Sequence, residues 1–141
     1  MSERVVVYQD RSFHSQFKAA DPHEDDVDVV ENVMHLHNLT PYGMLLASMA
    51  SCTAIVVNSY ARNHDIPLRG VTVEASFDRV FADDCDDCDQ DTNYEEIIRE
   101  RTRFEGDLDP QQLKRLHKVV KACSVRRLLE SGIKVKSDPS P

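Results

Sequence analysis

The chain has 141 residues, of which 40% are hydrophobic and 30% are charged, and its formal net charge is −8. This length and composition predict one soluble globular domain over residues 1–141. Nucleic acids and anionic membrane surfaces bind basic proteins, so the acidic balance argues against both as partners.

The first residues, MSERVVVYQDRSF, lack the basic start and the long apolar run of a secretory signal. We therefore expect a cytoplasmic protein, in which stable disulfides are rare and thiols serve chemistry, metal binding or packing. The chain has four cysteines, at positions 52, 85, 88 and 123.

The N-terminal region predicts two short strands within residues 4–19, separated by a polar turn at 9–12, and a third strand around residues 27–35. A long helix follows. Thr40 is a suitable N-cap, Pro41 suits the first helical position, and residues 41–61 carry no formal charge. Two apolar rows predict a helix that is buried nearly all round, with Cys52 on one of them. A membrane span is the alternative, but the hydroxyl and amide side chains within the segment argue against it.

After the helix, GVTVEASFDRVFADD alternates apolar and polar residues and predicts a strand with one buried face. An acidic loop, DCDDCDQDTN, leads into another strand, YEEIIRERTRFEGD. Asp109 and Pro110 then begin a second helix, which the pattern extends through Cys123 to Gly132.

The segment IKVKSD predicts a last strand with Ile133 and Val135 facing inward, before a frayed tail at residues 136–141. The predicted fold is therefore α+β: N-terminal strands, a long buried central helix, antiparallel strands, a second helix and a last strand. The apolar helix has more hydrophobic surface than one small sheet can cover, which predicts a dimer.

Cys52 and Cys123 each lie on a predicted buried helix face. If the two faces meet, the two thiols could pair and do chemistry. Both could equally be small core residues, the commonest role of a lone cysteine.

Cys85 and Cys88 form a CxxC motif within the acidic loop, spaced for a redox pair or for half of a zinc site. Zinc needs about four ligands and there is no second CxxC, while the neighbouring aspartates would raise the thiol pKa. We expect a structural loop. His35 and His37 could share a strand face as half of a metal site, but we assign no role to any histidine and no metal to the chain.

Two segments resemble the OsmC/organic hydroperoxide resistance (Ohr) family, nearest its small OsmC-like "redox protein" branch. They are TPYGMLLASMASCTAIVVNSYARNHDIPLRGVTVE and FEGDLDPQQLKRLHKVVKACSVRRLLESGIKV. The likeness covers roughly residues 40–135, and Cys52 and Cys123 fall where the family has its cysteines.

The resemblance implies the OsmC-like fold as an intertwined homodimer, and a thiol peroxidase acting on organic or fatty-acid hydroperoxides. Cys52 would become a sulfenic acid and Cys123 would condense with it to a disulfide. A reducing dithiol, such as a lipoyl protein, would restore the pair as co-substrate, and no bound cofactor is implied.

The sequence departs from the family pattern at three positions. Gly43 replaces a glutamate at the capping-box position, and Tyr42 stands where the peroxidase branch has an acid that orients a catalytic arginine. Arg11 lies in the turn from which that arginine comes. Ser124 replaces the proline that usually follows the second cysteine.

Three hypotheses follow from these residues. The first is an OsmC-like hydroperoxide reductase, which the two cysteines favour. The second is a non-catalytic dimer that binds an apolar or acyl ligand, which Gly43 favours. The third is a metal-binding regulator built on Cys85 and Cys88.

Overall fold

The computed structural model describes residues 3–20, 29–81 and 94–140. Its strands are β1 (Glu3–Asp10), β2 (Ser15–Ala20), β3 (Val30–Asn32), β4 (Leu68–Phe81) and β5 (Tyr94–Gly106), and its helices are α1 (Pro41–Asn63), α2 (Pro110–Val119) and α3 (Ser124–Ser131). Short 3₁₀ turns occur at Leu36–Asn38 and Val120–Ala122.

The five strands form one antiparallel sheet in the order β3-β2-β1-β4-β5. Side chains alternate across β1, so that Val5 and Val7 are buried while their neighbours are only half-buried. Val5 lies opposite Ala75 and Val7 opposite Val73 on β4. This shared register gives the sheet one apolar face, which α1 covers.

Helix α1 begins as predicted, because the Thr40 hydroxyl accepts a hydrogen bond from the Gly43 N–H at 2.9 Å and Pro41 is the first helical residue. One side of α1 packs on the sheet and is fully buried, with Leu46 and Val57 among its residues. The expectation of burial all round is wrong for the single chain, because Ile55 is 46% exposed. The opposite side of α1 is therefore only partly covered by α2 and α3.

Helix α1 is long and apolar enough to span a membrane, but half of its most apolar stretch is buried within the protein. The helix is consequently the core helix of this domain, consistent with a soluble protein.

The predicted continuous second helix is wrong. Helix α2 ends at Val119, a 3₁₀ turn follows, and Cys123 adopts an extended backbone (φ −62°, ψ 123°) before α3 begins. The capping box at Asp109 and Gln112 is present as expected. The break redirects the chain, so that the beginning of α3 faces α1.

The predicted last strand is also wrong in the single chain. Residues 132–140 have no helix or strand, and Ile133 and Val135 are 70% and 84% exposed. The strand predicted around residues 27–35 is reduced, among described residues, to β3. His35 and His37 follow it at the Leu36–Asn38 turn, with their rings stacked at 5.3 Å.

Candidate functional site

Cys52 lies near the middle of α1, on the side that faces α3 rather than the sheet. Its side chain is partly exposed, whereas the next residue, Thr53, is fully buried against the sheet. The Cys52 sulfur is 3.7 Å from the Ser124 hydroxyl oxygen, at the first residue of α3.

Cys123 is fully buried and serves as the N-cap of α3. Its sulfur accepts a hydrogen bond from the Arg126 N–H at 3.4 Å, as a capping side chain does. Its S–H can donate to the Met49 carbonyl oxygen at 3.7 Å. These contacts fix Cys123 between α1 and α3.

The two sequence-predicted cysteines are in contact. Cys52 and Cys123 approach within 3.2 Å, and each thiol affects the pKa of the other. Both thiols are free, so they face each other as an unbridged pair. The break in the second helix makes this possible, because a cap residue can turn its side chain toward α1.

The surroundings push the pKa values of the two thiols in opposite directions. Burial raises the pKa of Cys52, but hydrogen bonds from the Val125 N–H, from Cys123 and from Ser124 together outweigh it, so the net shift is downward. For Cys123, burial is the largest cause and its pKa is raised, with the Arg126 N–H acting against the shift. Cys52 is therefore the thiol that ionises first.

The N-terminus of α3 stabilises the negative charge on Cys52. Its first N–H groups have no partner inside the helix, and they carry the positive end of the helix dipole. Such a position lowers the pKa of a cysteine. Sequence reasoning missed this contribution of Ser124 and Val125, although the proline of the family pattern at that position is a helix-start signal.

Two charged side chains border the pair. Glu100 on β5 accepts hydrogen bonds from the Thr53 hydroxyl at 3.1 and 3.2 Å. Burial raises the pKa of Glu100, while the hydrogen bond from Thr53 and the charge of Arg126 act to lower it. Arg126 forms a 2.7 Å ion pair with Glu130, and its charge also interacts with Cys123. Neither residue was identified from the sequence.

A groove of about 500 Å³ lies beside the cysteine pair. Met49 and Arg126 line this groove and also contact Cys123. Its walls are mainly apolar, and the Tyr42 ring stacks on Phe77 with centroids 4.9 Å apart. The lining side chains are Tyr42, Leu45, Met49, Phe77, Glu96, Ile98, Glu100, Arg126, Leu129 and Glu130. The groove therefore offers an apolar surface along α1.

Arg11 lies elsewhere in the chain. It occupies the β1–β2 turn as expected, where its carbonyl accepts a hydrogen bond from Arg62 at 3.2 Å, and it lines a second cavity of about 460 Å³ with Arg62 and Arg69. Arg62 lies roughly 15 Å beyond Cys52 at 1.5 Å of rise per residue. Among the described residues, the Arg126 guanidinium interacts electrostatically with Cys123.

The other residues singled out from the sequence add little evidence for a functional site. Cys85 and Cys88 lie outside the described residues. Among residues 3–20, 29–81 and 94–140, no group of three or more His, Cys, Asp or Glu side chains is arranged to hold a metal ion. Gly43 occupies the capping-box position, where the Thr40 side chain bonds to its N–H without a returning acid.

The chain is similar to known proteins in its sequence and in its fold. The family model described as "OsmC-like protein" matches residues 35–138. A search of curated proteins gave no match. Among solved structures, the chain is similar to an OsmC-like hydroperoxide resistance protein from Jannaschia sp. CCS1, with a TM-score of 0.64 and 11% identity over 99% of this chain and 94% of the other.

Proposed function

The chain belongs to the OsmC-like protein family, and from that premise we propose that it reduces organic hydroperoxides with Cys52 and Cys123. The observation that carries the proposal is the contact between the two thiols at the N-terminus of α3. The similar fold of a hydroperoxide resistance protein supports it. The lowered pKa of Cys52 and the raised pKa of Cys123 support Cys52 as the nucleophile.

In the first step, the Cys52 thiolate attacks the terminal oxygen of the hydroperoxide. The S–O bond forms, the O–O bond breaks, and the departing alkoxide takes a proton from solvent to become an alcohol. Cys52 gives up the two electrons that reduce the peroxide and is thereby oxidised to a sulfenic acid. The N–H of Val125 and the hydroxyl of Ser124 hold the thiolate that starts this step.

In the second step, Cys123 loses its proton and attacks the Cys52 sulfur. The S–S bond forms, the S–O bond breaks, and hydroxide leaves and is protonated to water. Because Cys123 already contacts Cys52, little backbone movement is needed. The disulfide protects Cys52 from further oxidation.

The cycle closes when an external dithiol, such as a lipoyl group on a protein, reduces the disulfide by thiol–disulfide exchange. The chemistry needs no bound cofactor. We further propose a cytoplasmic homodimer, since the exposed side of α1 and the C-terminal half of α3 present apolar side chains. These are Tyr42, Leu45, Ile55, Leu128 and Leu129.

The proposal is tested with cysteine variants in a Cys85→Ser/Cys88→Ser background, which leaves only the two site thiols. Cys52→Ser should abolish consumption of cumene hydroperoxide with dithiol present. Cys123→Ser should react once and then accumulate a sulfenic acid, detected by dimedone labelling, that overoxidises with excess peroxide. Peroxide consumption by Cys52→Ser at the parental rate would overturn the proposal.

The groove also supports a second candidate, a binding module for an apolar or acyl ligand without turnover. Its volume and apolar walls suit such a ligand. Binding of a long-chain alcohol with unchanged affinity in Cys52→Ser, together with no peroxide consumption by the parent protein, would favour this alternative.

A further inference from the structure

The second cavity, of about 460 Å³, is lined by three arginines at the C-terminal end of α1. Arg11 comes from the β1–β2 turn, Arg62 from the last turn of α1 and Arg69 from the beginning of β4. The cavity has the size of a small-molecule site, and its lining is mainly polar. The proposed peroxide reaction uses none of these side chains.

Hydrogen bonds to the backbone of the turn bring the three arginines to one place. The Arg11 N–H donates to the Arg69 carbonyl at 3.1 Å, and the Arg62 guanidinium donates to the Arg11 carbonyl at 3.2 Å. The buried Asn58 amide donates to the Asp10 carbonyl at 2.9 Å and holds the turn against α1. The fold itself therefore assembles this arginine cluster.

The turn also contains a strained residue that contacts Arg62. Phe13 has a φ of 66°, in the left-handed region that bulky residues rarely adopt. The Arg62 guanidinium carbon lies 4.8 Å from the centroid of the Phe13 ring, a cation–π contact. Strain of this kind persists where the surrounding structure fixes it, and it is common at ligand clamps. The turn thus holds one guanidinium in place at a cost in backbone energy.

The positive charge in the cavity is not neutralised by ion pairs. Within the part of the chain that the structure describes, none of the three guanidiniums forms one. Asp10, the acid of the turn, instead accepts hydrogen bonds from the Ser12 and His14 N–H groups. Asp65 and Asp107 line the cavity, so three positive charges stand beside two negative ones. Like charges on neighbouring strands repel, and a bound anion would relieve that repulsion.

We propose that this cavity binds a small phosphate ester, with its phosphate on the three arginines and its hydroxyl groups toward Asp65 and Asp107. Guanidinium groups match the oxygens of a phosphate in geometry and in charge. The two carboxylates disfavour a ligand that is anionic throughout, but they accept hydrogen bonds from hydroxyl groups. A sugar phosphate combines both kinds of group. This inference concerns a site apart from Cys52 and needs no peroxide chemistry.

The test is isothermal titration calorimetry of the full chain with ribose 5-phosphate, ribose and inorganic phosphate. Ribose 5-phosphate should bind most tightly, because it alone presents both the phosphate and the sugar hydroxyls. Its affinity should fall as salt is added, because the three arginines are exposed. It should also raise Tm, because it binds the folded protein. Absence of binding, or equal or tighter binding of ribose or of inorganic phosphate, would overturn the inference.

Arg69→Gln tests the assignment to the cavity. The Arg69 side chain has no hydrogen bond or ion pair within the described ranges, so its replacement should not unfold the protein. Affinity for ribose 5-phosphate should fall about tenfold, the lower end of the range for a hydrogen bond to a charged group. Arg101→Gln is the matched control, since Arg101 is exposed on β5 and does not line the cavity.

The control makes the same change in net charge, and its affinity should stay within about twofold of the parent because distant exposed charges are screened. Unchanged affinity in Arg69→Gln, or an equal loss in Arg101→Gln, would overturn the assignment.

Cys52→Ser separates this inference from the proposed function. The variant should bind ribose 5-phosphate with the parental affinity, because Arg62 lies roughly 15 Å from Cys52 along α1. Binding that is lost in Cys52→Ser would place the ligand at the cysteines and overturn the cavity site. Binding by a parent protein that consumes no hydroperoxide would uphold the site and refute the proposed reaction.

Discussion

Replacing Ser124 tests how the start of α3 prepares Cys52. Ser124→Ala removes a hydroxyl 3.7 Å from the sulfur, whereas Ser124→Pro removes the backbone N–H as well. Proline should be tolerated, because Ser124 is the first residue of α3 and Cys123 before it has the extended backbone that proline requires. The two variants therefore remove hydrogen bonds to the thiolate one after the other.

The size of the effect follows from the geometry. A hydrogen bond to a charged group contributes about 1.5–3 kcal/mol, and the long contact from the hydroxyl should contribute less, about 1 kcal/mol. Ser124→Ala should therefore cost the thiolate about 1 kcal/mol, and Ser124→Pro, which loses both hydrogen bonds, roughly 2.5–4 kcal/mol. At 1.36 kcal/mol per factor of ten, and at pH values well below the pKa, the thiolate fraction of Cys52 should fall about fivefold in Ser124→Ala and roughly 70- to 900-fold in Ser124→Pro.

The assay is the rate of Cys52 alkylation by iodoacetamide as a function of pH, resolved by peptide mass spectrometry. The rate should increase as the thiolate forms and level off above its pKa, which lies below the ordinary 9.0 in the parent protein. Both variants should move the midpoint upward and leave the plateau nearly unchanged. Ser131→Ala, at the exposed end of α3, is the control. An unchanged midpoint in Ser124→Pro would refute the role of the α3 N-terminus.

Four further predictions concern stability, assembly and the acidic loop. Because the pKa of Glu100 is raised in the folded state, its ionisation costs stability as pH rises above 4.5; Glu100→Gln should therefore raise Tm at pH 7 more than at pH 4. Leu116→Ala should lower the free energy of unfolding in urea by about 2–5 kcal/mol, because Leu116 is fully buried. Ile55→Glu should shift the proposed dimer toward monomer in sedimentation velocity. Cys85→Ser/Cys88→Ser should leave fold and peroxide consumption nearly unchanged.

Distinct results would contradict these expectations. An equal change of Tm at both pH values would show that Glu100 carries no folding-linked pKa shift. A loss in Leu116→Ala no larger than in Ile133→Ala, whose side chain is 70% exposed, would contradict the packing. A parent protein that sediments as a monomer would contradict the proposed dimer. Stoichiometric zinc that is bound by the parent protein and absent from Cys85→Ser/Cys88→Ser would support the metal-binding hypothesis.

The central helix could be predicted from the sequence because its signals are local. Thr40 and Pro41 define its start, and the uncharged run defines its length. The sequence could not show which apolar row faces the sheet. Leu46 and Val57 belong to the buried row, and Cys52 belongs to the less covered row that faces α3.

The pairing of Cys52 with Cys123 was predictable only as a possibility, since it depends on how distant segments pack. The helical spacing of apolar residues predicted one continuous helix through Cys123, because residues on both sides of the break keep the same spacing. The chain instead interrupts the helix there, and the interruption supplies the N–H groups of Ser124 and Val125. Tertiary packing overrides helix propensity at this point.

The last strand was predicted from alternation alone, which does not specify a partner. Ile133 and Val135 alternate with lysines, yet the described sheet ends at β3 and β5 and offers them no neighbour. The acidic character of the groove was equally hidden. Glu130 lies four residues after Arg126 on α3, and only the fold brings Glu100 on β5 to the same guanidinium.

The central claim, that Cys52 and Cys123 act as one redox pair, is tested most directly by oxidising the reduced Cys85→Ser/Cys88→Ser protein with one equivalent of cumene hydroperoxide. Thiol titration and peptide mass spectrometry should find both thiols consumed and a Cys52–Cys123 disulfide, with one equivalent of alcohol released. Two free thiols remaining beside unreacted hydroperoxide, or a stable sulfenic acid on Cys52 with Cys123 still reduced, would contradict it.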